Sequence, residues 1–222
     1  LLDLQINAIL QSGIKEIGLV TGFNKNLLRK KEISKYFHNK IWDKSNMAYS
    51  LYLADEWLSS QRCIVSYSDI FYSSSAIKSL KNANNQISIT YDLNWFDLWS
   101  KRFEDPKSDA ESFEINSNYE ITDIGKKNIN LSKTCGQYMG LIAFSPNGWD
   151  SYKAAWNVIR KQRGLDISIT EILNEVIKQN KSKIIGIPYS DIWGEVDLVS
   201  DLKLYEKIYP KNSNVFNYII DS

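Results

Sequence analysis

Histidine is nearly missing from this 222-residue chain: it has one, His38, beside two cysteines, Cys63 and Cys135. A His-rich metal site is thereby excluded, and a Ser-His-Asp triad survives only with His38 as its base. Two cysteines make no disulfide framework, and a reducing, cytoplasmic setting suits them best. Cys63 opens the apolar run Cys63-Ile-Val-Ser-Tyr67, so it reads as core and not as a nucleophile. A charge excess of either sign is absent too: 27 Lys and Arg stand against 26 Asp and Glu. That balance argues against a general nucleic-acid or anionic-membrane binder. No window approaches the roughly 18 to 20 apolar residues of a membrane span, and Asp3 and Gln5 interrupt any signal-peptide pattern in the first ten residues. Neither G-x-G-x-x-G nor G-x-x-x-x-G-K-S/T occurs, so no loop of this chain cradles a triphosphate by itself.

What is present is a globule. Hydrophobic residues at 43% and charged residues at 24% exclude a disordered chain, and the length suits one domain. Leu2, Ile6, Ile9 and Leu10 share one helical face, with Gly13 as the stop. Residues 16–20 read as a strand ended by Thr21-Gly22, and Asn24 caps a short helix holding Leu27 and Leu28. The polar stretch to Asp43 is anchored by Tyr36, Phe37, Ile41 and Trp42. Ser45 or Asn46 caps a helix carrying Ala48, Leu51, Ala54 and Leu58. A strand at 63–67, a helix at 73–80 and a strand at 86–91 follow. Residues 94–109 are aromatic and charged without a period. Residues 111–116 and 119–124 read as a hairpin around Asn116-Ser-Asn118. A strand at 138–144, helices at 149–163 and 169–179, a strand at 183–188 and a helix near 200–208 complete the chain. The expected fold is α/β: a Rossmann-like mixed, mostly parallel sheet flanked by helices, one domain over 1–222 with a small β insertion over 93–135.

Three places can carry chemistry. Asp69 follows the 63–67 run, so it sits at the carboxyl end of a strand, where open α/β sheets bind ligands. A lone carboxylate there suits Mg2+ held between protein and nucleotide phosphates; capping the next turn is the plainer alternative. In Trp193-Gly-Glu-Val-Asp197, Glu195 and Asp197 alternate onto one face. Asp201 falls in the first turn of the next helix, where the dipole favours an acid. The stretch from Asp92 to Glu111 gathers Trp95, Trp99, Lys101, Arg102, Asp105 and Asp109. Aromatics beside carboxylates can hold a substituted ammonium, and paired bases can grip a phosphate or phosphonate. A surface loop pinned by two buried tryptophans is the alternative there.

In order along the chain, these stretches resemble a known family. They are Leu1 to Val20, Asn46-Met-Ala-Tyr-Ser-Leu51, Ile64-Val-Ser-Tyr-Ser-Asp69, Trp99-Ser-Lys-Arg-Phe103 with Asp105-Pro106 and Asp109-Ala-Glu111, Gly136-Gln-Tyr-Met-Gly140, and Trp193-Gly-Glu-Val-Asp197 with Asp201-Leu202. The set is similar to the cytidylyltransferase branch of the sugar-phosphate nucleotidyltransferases, whose members act on phosphocholine, 2-aminoethylphosphonate or phosphoglutamine. The resemblance implies the nucleotide-diphospho-sugar transferase type of fold. It places catalytic, Mg2+-binding aspartates on Asp69 and Asp197, and nucleotide contacts on Asn46, Ser68 and Asp69. Members of that family begin with a strand and a Gly-rich, basic loop that wraps the triphosphate. This sequence starts at the helix after that loop, so strand and loop are expected to be missing from it.

The expected activity is transfer of CMP from CTP to a small amine bearing a phosphate or phosphonate, with pyrophosphate leaving. Trp95, Trp99, Arg102, Glu111 and Trp193 are the acceptor-side candidates, Arg102 for the anion and Trp193 or Glu111 for the cation. A metal-dependent glycosyltransferase and a non-catalytic nucleotide-binding module are the rival readings. The partners are CTP and the acceptor, with no nucleic acid and no membrane. The oligomeric state stays open, a homodimer included. Decoration of cell-surface polysaccharide or phosphonate is the pathway the resemblance implies.

Overall fold

The computed structural model describes residues 1–127 and 129–209; residues 210–222 of the expected 1–222 domain and Asn128 of the insertion lie outside them. Helix α1 (Leu2–Gln11) buries Gln5, Ile6 and Ala8 on one face. β1 (Gly18–Thr21) pairs in parallel with β2 (Lys35–His38), a strand too short to show a period in the sequence. The helix expected after Asn46 is two helices, α2 (Met47–Tyr52) and α3 (Asp55–Ser60). β3 (Cys63–Ser66), β4 (Ile70–Tyr72), α4 (Ser74–Asn82) and the wholly buried β5 (Ile87–Asp92) follow.

The stretch without a visible period contains α5 (Trp95–Arg102). Its buried residues, Trp95 and Trp99, are four apart, and Asp97 and the Lys101-Arg102 pair lie at the ends the helix dipole favours. Eight residues are too few for that pattern to stand out. β6 (Phe113–Ile115) and β7 (Ile121–Ile124) form the expected hairpin. β8 (Gln137–Phe144) leads into α6 (Pro146–Arg163), and a Ser168–Glu171 capping box starts α7 (Ile169–Gln179). β9 (Ile184–Tyr189), β10 (Trp193–Glu195) and α8 (Val199–Ile208) end the described chain.

The main sheet has the order β3-β8-β5-β9. β5 and β9 are parallel, while β8 runs antiparallel to both β3 and β5. Three strands therefore share one direction, and the fourth, in the middle, opposes them. The reason is the insertion: the chain leaves β5 at its carboxyl end, makes α5 and the hairpin, and re-enters through β8 beside the end it left. No crossover helix carries it back to the other edge, so the new strand must run the opposite way. β8 alternates between two cores. Met139, Leu141 and Ala143 pack with Ile77, Leu80, Trp95, Trp99 and Trp193, while Ile142 and Phe144 pack with Trp149, Trp156 and Leu173.

Two glycines set how β8 sits. A Cβ on Gly136 would lie 2.4 Å from the Tyr91 ring and 2.8 Å from the Asp92 carbonyl, so only glycine lets β8 begin against the end of β5. Gly140 has φ of +80°, and a Cβ there would meet the Tyr67 ring at 2.9 Å.

The β1–β2 pair stands apart from the main sheet. An apolar cleft of about 790 Å3 lies between them, lined along their lengths by β1 and β3 and floored by Ile6, Ile9, Leu51 and Leu58. Among the described residues β1 pairs only with β2 and β3 only with β8, so each has an unpaired edge.

Gly140→Ala should destabilise the protein by about 1–3 kcal/mol through backbone strain and the Tyr67 contact, read as a lowered denaturation midpoint. Gly164→Ala shares the positive φ, +76°, but meets nothing within 4 Å. Its loss should be the smaller, about 1 kcal/mol; equal losses would show that the Tyr67 contact does not matter.

Candidate active site

The carboxyl ends of β3, β5 and β9 define one edge of the sheet, and the candidate acids meet there through a short ladder. β4 and β10 pair antiparallel with Glu195 opposite Ile70, and the Val196 N–H donates to the Asp69 carbonyl at 2.8 Å. Asp69 thus lies beside Val196, flanked by the alternating acids Glu195 and Asp197. One carboxylate oxygen from each of the three falls within 4.8 Å of the others. Buried Gln5 braces the turn between β3 and β4, its Nε2 donating to the carbonyls of Tyr67 and Ile70 at 2.7 Å.

Arg102 closes the cluster from α5. Its guanidinium donates to Glu195 and Asp197 at 2.9 Å each, and to Asp201 at 3.1 Å. Asp201 also accepts from the N–H groups of Asp197 at 3.0 Å and Leu198 at 2.9 Å, which fixes the turn entering α8. From the residues alone Asp201 has only a helix-dipole role; its spacing from Asp197 and its place in the stretch that carries the resemblance are the visible hints. Asp69 Oδ1 is buried with no hydrogen-bond partner.

Beside the cluster is a polar pocket of about 170 Å3, lined among others by Met47, Tyr67, Trp99, Asp109, Glu111 and Glu195. The buried Gln137 side chain clamps the Glu111 backbone, accepting from its N–H at 2.9 Å and donating to its carbonyl at 2.6 Å. The 136–140 stretch is part of the resemblance, but nothing in the residues alone marks Gln137 for this clamp.

No family model matches the chain. It is 32% identical over 220 residues to the CTP:phosphoglutamine cytidylyltransferase of Campylobacter jejuni, covering 92% of this chain and 86% of that protein. The chain belongs to the cytidylyltransferase branch of the sugar-phosphate nucleotidyltransferases. Solved structures share the fold. The inositol-1-phosphate CTP transferase of T. maritima superposes with a TM-score of 0.69 at 19% identity, over 98% of this chain and 80% of that one. The CTP:phosphocholine cytidylyltransferase of Streptococcus pneumoniae gives 0.65 at 16%, over 93% and 84%.

Within this cytidylyltransferase fold the other candidates fall in different places. Trp95 and Trp193 are buried in the core, and Trp99 reaches both that core and the pocket wall. Ser68 is exposed and lines the cleft beside β3. Asn46 caps α2: its Oδ1 accepts from the Met47 N–H at 2.6 Å and its Nδ2 donates to Asp166 at 3.0 Å. His38 bonds through Nδ1 to Thr21 on the neighbouring strand and belongs to neither the acid cluster nor the polar pocket. Burial pushes the Cys63 thiol up to about 11, so it is no nucleophile at neutral pH. No helix among the described residues is long and apolar enough to cross a membrane.

Burial also pushes the Glu195 carboxyl up to about 7; the Arg102 hydrogen bond opposes the rise and the Asp197 charge adds to it. Asp69 is raised as well, first by burial. A carboxyl raised in the folded state contributes stability that is complete below its unfolded value and lost as pH climbs through the folded one. The metal-free protein should therefore lose thermal stability as pH rises from about 5 to 8, and Glu195→Gln should flatten part of that slope. Melting curves across this range check it; parallel slopes for the two proteins would refute the Glu195 assignment.

Proposed function

We propose that this protein transfers CMP from CTP to a small acceptor carrying a phosphate or phosphonate and an amine. An acceptor oxygen attacks the α-phosphorus in line. The bond from that phosphorus to the bridging oxygen breaks, and pyrophosphate leaves with the electron pair. The carrying observation is the cluster of Asp69, Glu195 and Asp197 at the carboxyl edge, with a buried Asp69 oxygen lacking any partner. An all-oxygen donor set with an orphaned carboxylate oxygen suits Mg2+, with Asp69 and Asp197 as its ligands. Held by Asp69 and Asp197, Mg2+ would supply positive charge to offset the negative charge on the α-phosphate oxygens.

The chain's own residues do the positioning. Ser68, which lines the cleft, and Asn46, next in sequence to the cleft residue Met47, are read as nucleotide contacts. The cleft, with its two unpaired strand edges, is read as the seat of the strand and Gly-rich loop that the family places ahead of α1. The polar pocket is read as the acceptor site. Glu111, held by Gln137, and Asp109 offer negative charge to an amine, and Trp99 and Tyr67 offer aromatic faces. Lys127 lies at its rim, 3.4 Å from Glu111. A cytoplasmic setting is the reading that the use of CTP and two free cysteines support.

In protein that carries that strand and Gly-rich loop, Asp69→Asn and Asp197→Asn should each lower kcat on the order of 100-fold or more with the fold kept, measured as pyrophosphate release from CTP and checked by circular dichroism. Wild-type turnover in either variant at ordinary Mg2+ sinks the metal assignment. Among phosphoglutamine, phosphocholine, 2-aminoethylphosphonate and glucose 1-phosphate, an amine-bearing acceptor should give the highest kcat/KM. Preference for glucose 1-phosphate would rule out the amine pocket.

A further inference from the structure

We infer that Arg102 is a positioning residue that sets the cation site, and that it does not bind the acceptor's anion. The inference rests on Asp69, Glu195 and Asp197 being the cation's surroundings, as proposed above. The Arg102 side chain is 0% exposed. All three guanidinium nitrogens are engaged: Nη1 donates to Glu195 at 2.9 Å, Nη2 to Asp197 at 2.9 Å and Asp201 at 3.3 Å, and Nε to Asp201 at 3.1 Å. Its plane lies near the Trp99 and Phe103 rings, 5.2 and 4.9 Å from their centroids. A phosphate seeking Arg102 would have to displace a buried carboxylate and add its own negative charge to three acids. Electrostatics forbids that exchange.

The same geometry gives Arg102 a different task. Its fork holds Glu195 and Asp197, the two residues that converge on Asp69. Asp69, Glu195, Asp197 and Asp201 offer four negative charges when ionised, against one from Arg102. The guanidinium relieves enough repulsion to keep the acids together, and the excess still attracts a divalent cation. A lysine would keep the charge but offers a single nitrogen, unable to span three acids in fixed geometry. Because Arg102 ends α5 and Trp99 of that helix walls the polar pocket, the fork also ties the acceptor side to the cation side.

Arg102→Lys in the full chain tests this, with Mn2+ as the probe. Electron paramagnetic resonance should show Mn2+ affinity weakened about tenfold, and kcat should fall while the acceptor KM stays within about twofold, because a group that only positions the cation leaves acceptor binding alone. Should that variant unfold, Asp201→Asn, which loosens the fork from its buried anchor without removing the Arg102 charge, is read the same way. Unchanged Mn2+ affinity with a raised acceptor KM would overturn the inference and return Arg102 to the anion. Wild-type protein that binds no Mn2+, indistinguishable from Asp69→Asn, would instead overturn the cation site itself and the inference with it.

Discussion

A fully buried guanidinium must keep its counter-charges, and this constraint organises the carboxyl edge of the molecule. Stripping water from a charged group costs several kcal/mol, offset only by close, well-formed partners. Arg102 finds three, on β10, on the residues just after it, and in the first turn of α8. Satisfying one cation therefore fixes how α5, β10 and α8 meet. Asp201 joins that arrangement to the backbone by accepting the Asp197 and Leu198 N–H groups. The interactions that close the fold at this edge are the ones that space the acids.

The sheet brings Asp69 to the same place by an independent route. β3 delivers it to the carboxyl edge, and the three-residue β4–β10 ladder sets it beside Val196. The central antiparallel strand makes room for this. By returning through β8, the insertion stays above the edge where it left, so Trp99, Asp109 and Glu111 face the acids instead of the far end of the sheet. Gly136 and Gly140 permit that return by admitting the Tyr91 and Tyr67 rings where a side chain would collide.

The fold alone does not choose the acceptor. Proteins named for inositol-1-phosphate and for phosphocholine share it at 19% and 16% identity. A sheet edge of this kind offers a common seat, and the side chains above it differ. In this chain they are acidic and aromatic, clamped from below by Gln137.

Much was legible in the residues themselves. Long periodic segments such as α1, α6 and α7 and the apolar strands β3, β5, β8 and β9 announce themselves because burial imposes their period on the sequence. Asp69 at a strand end and the alternation of Glu195 and Asp197 were visible for the same local reason. Short elements were not: β2, β4 and α5 hold three to eight residues, and such runs owe their conformation to what they pack against. The direction of β8 was decided only in three dimensions, since an apolar run has the same pattern whichever way it points. Arg102 shows the limit most clearly. Its type and neighbours suggested a grip on an anionic ligand, but its partners lie 93 to 99 residues away, and only tertiary folding could reveal that its anions are the protein's own.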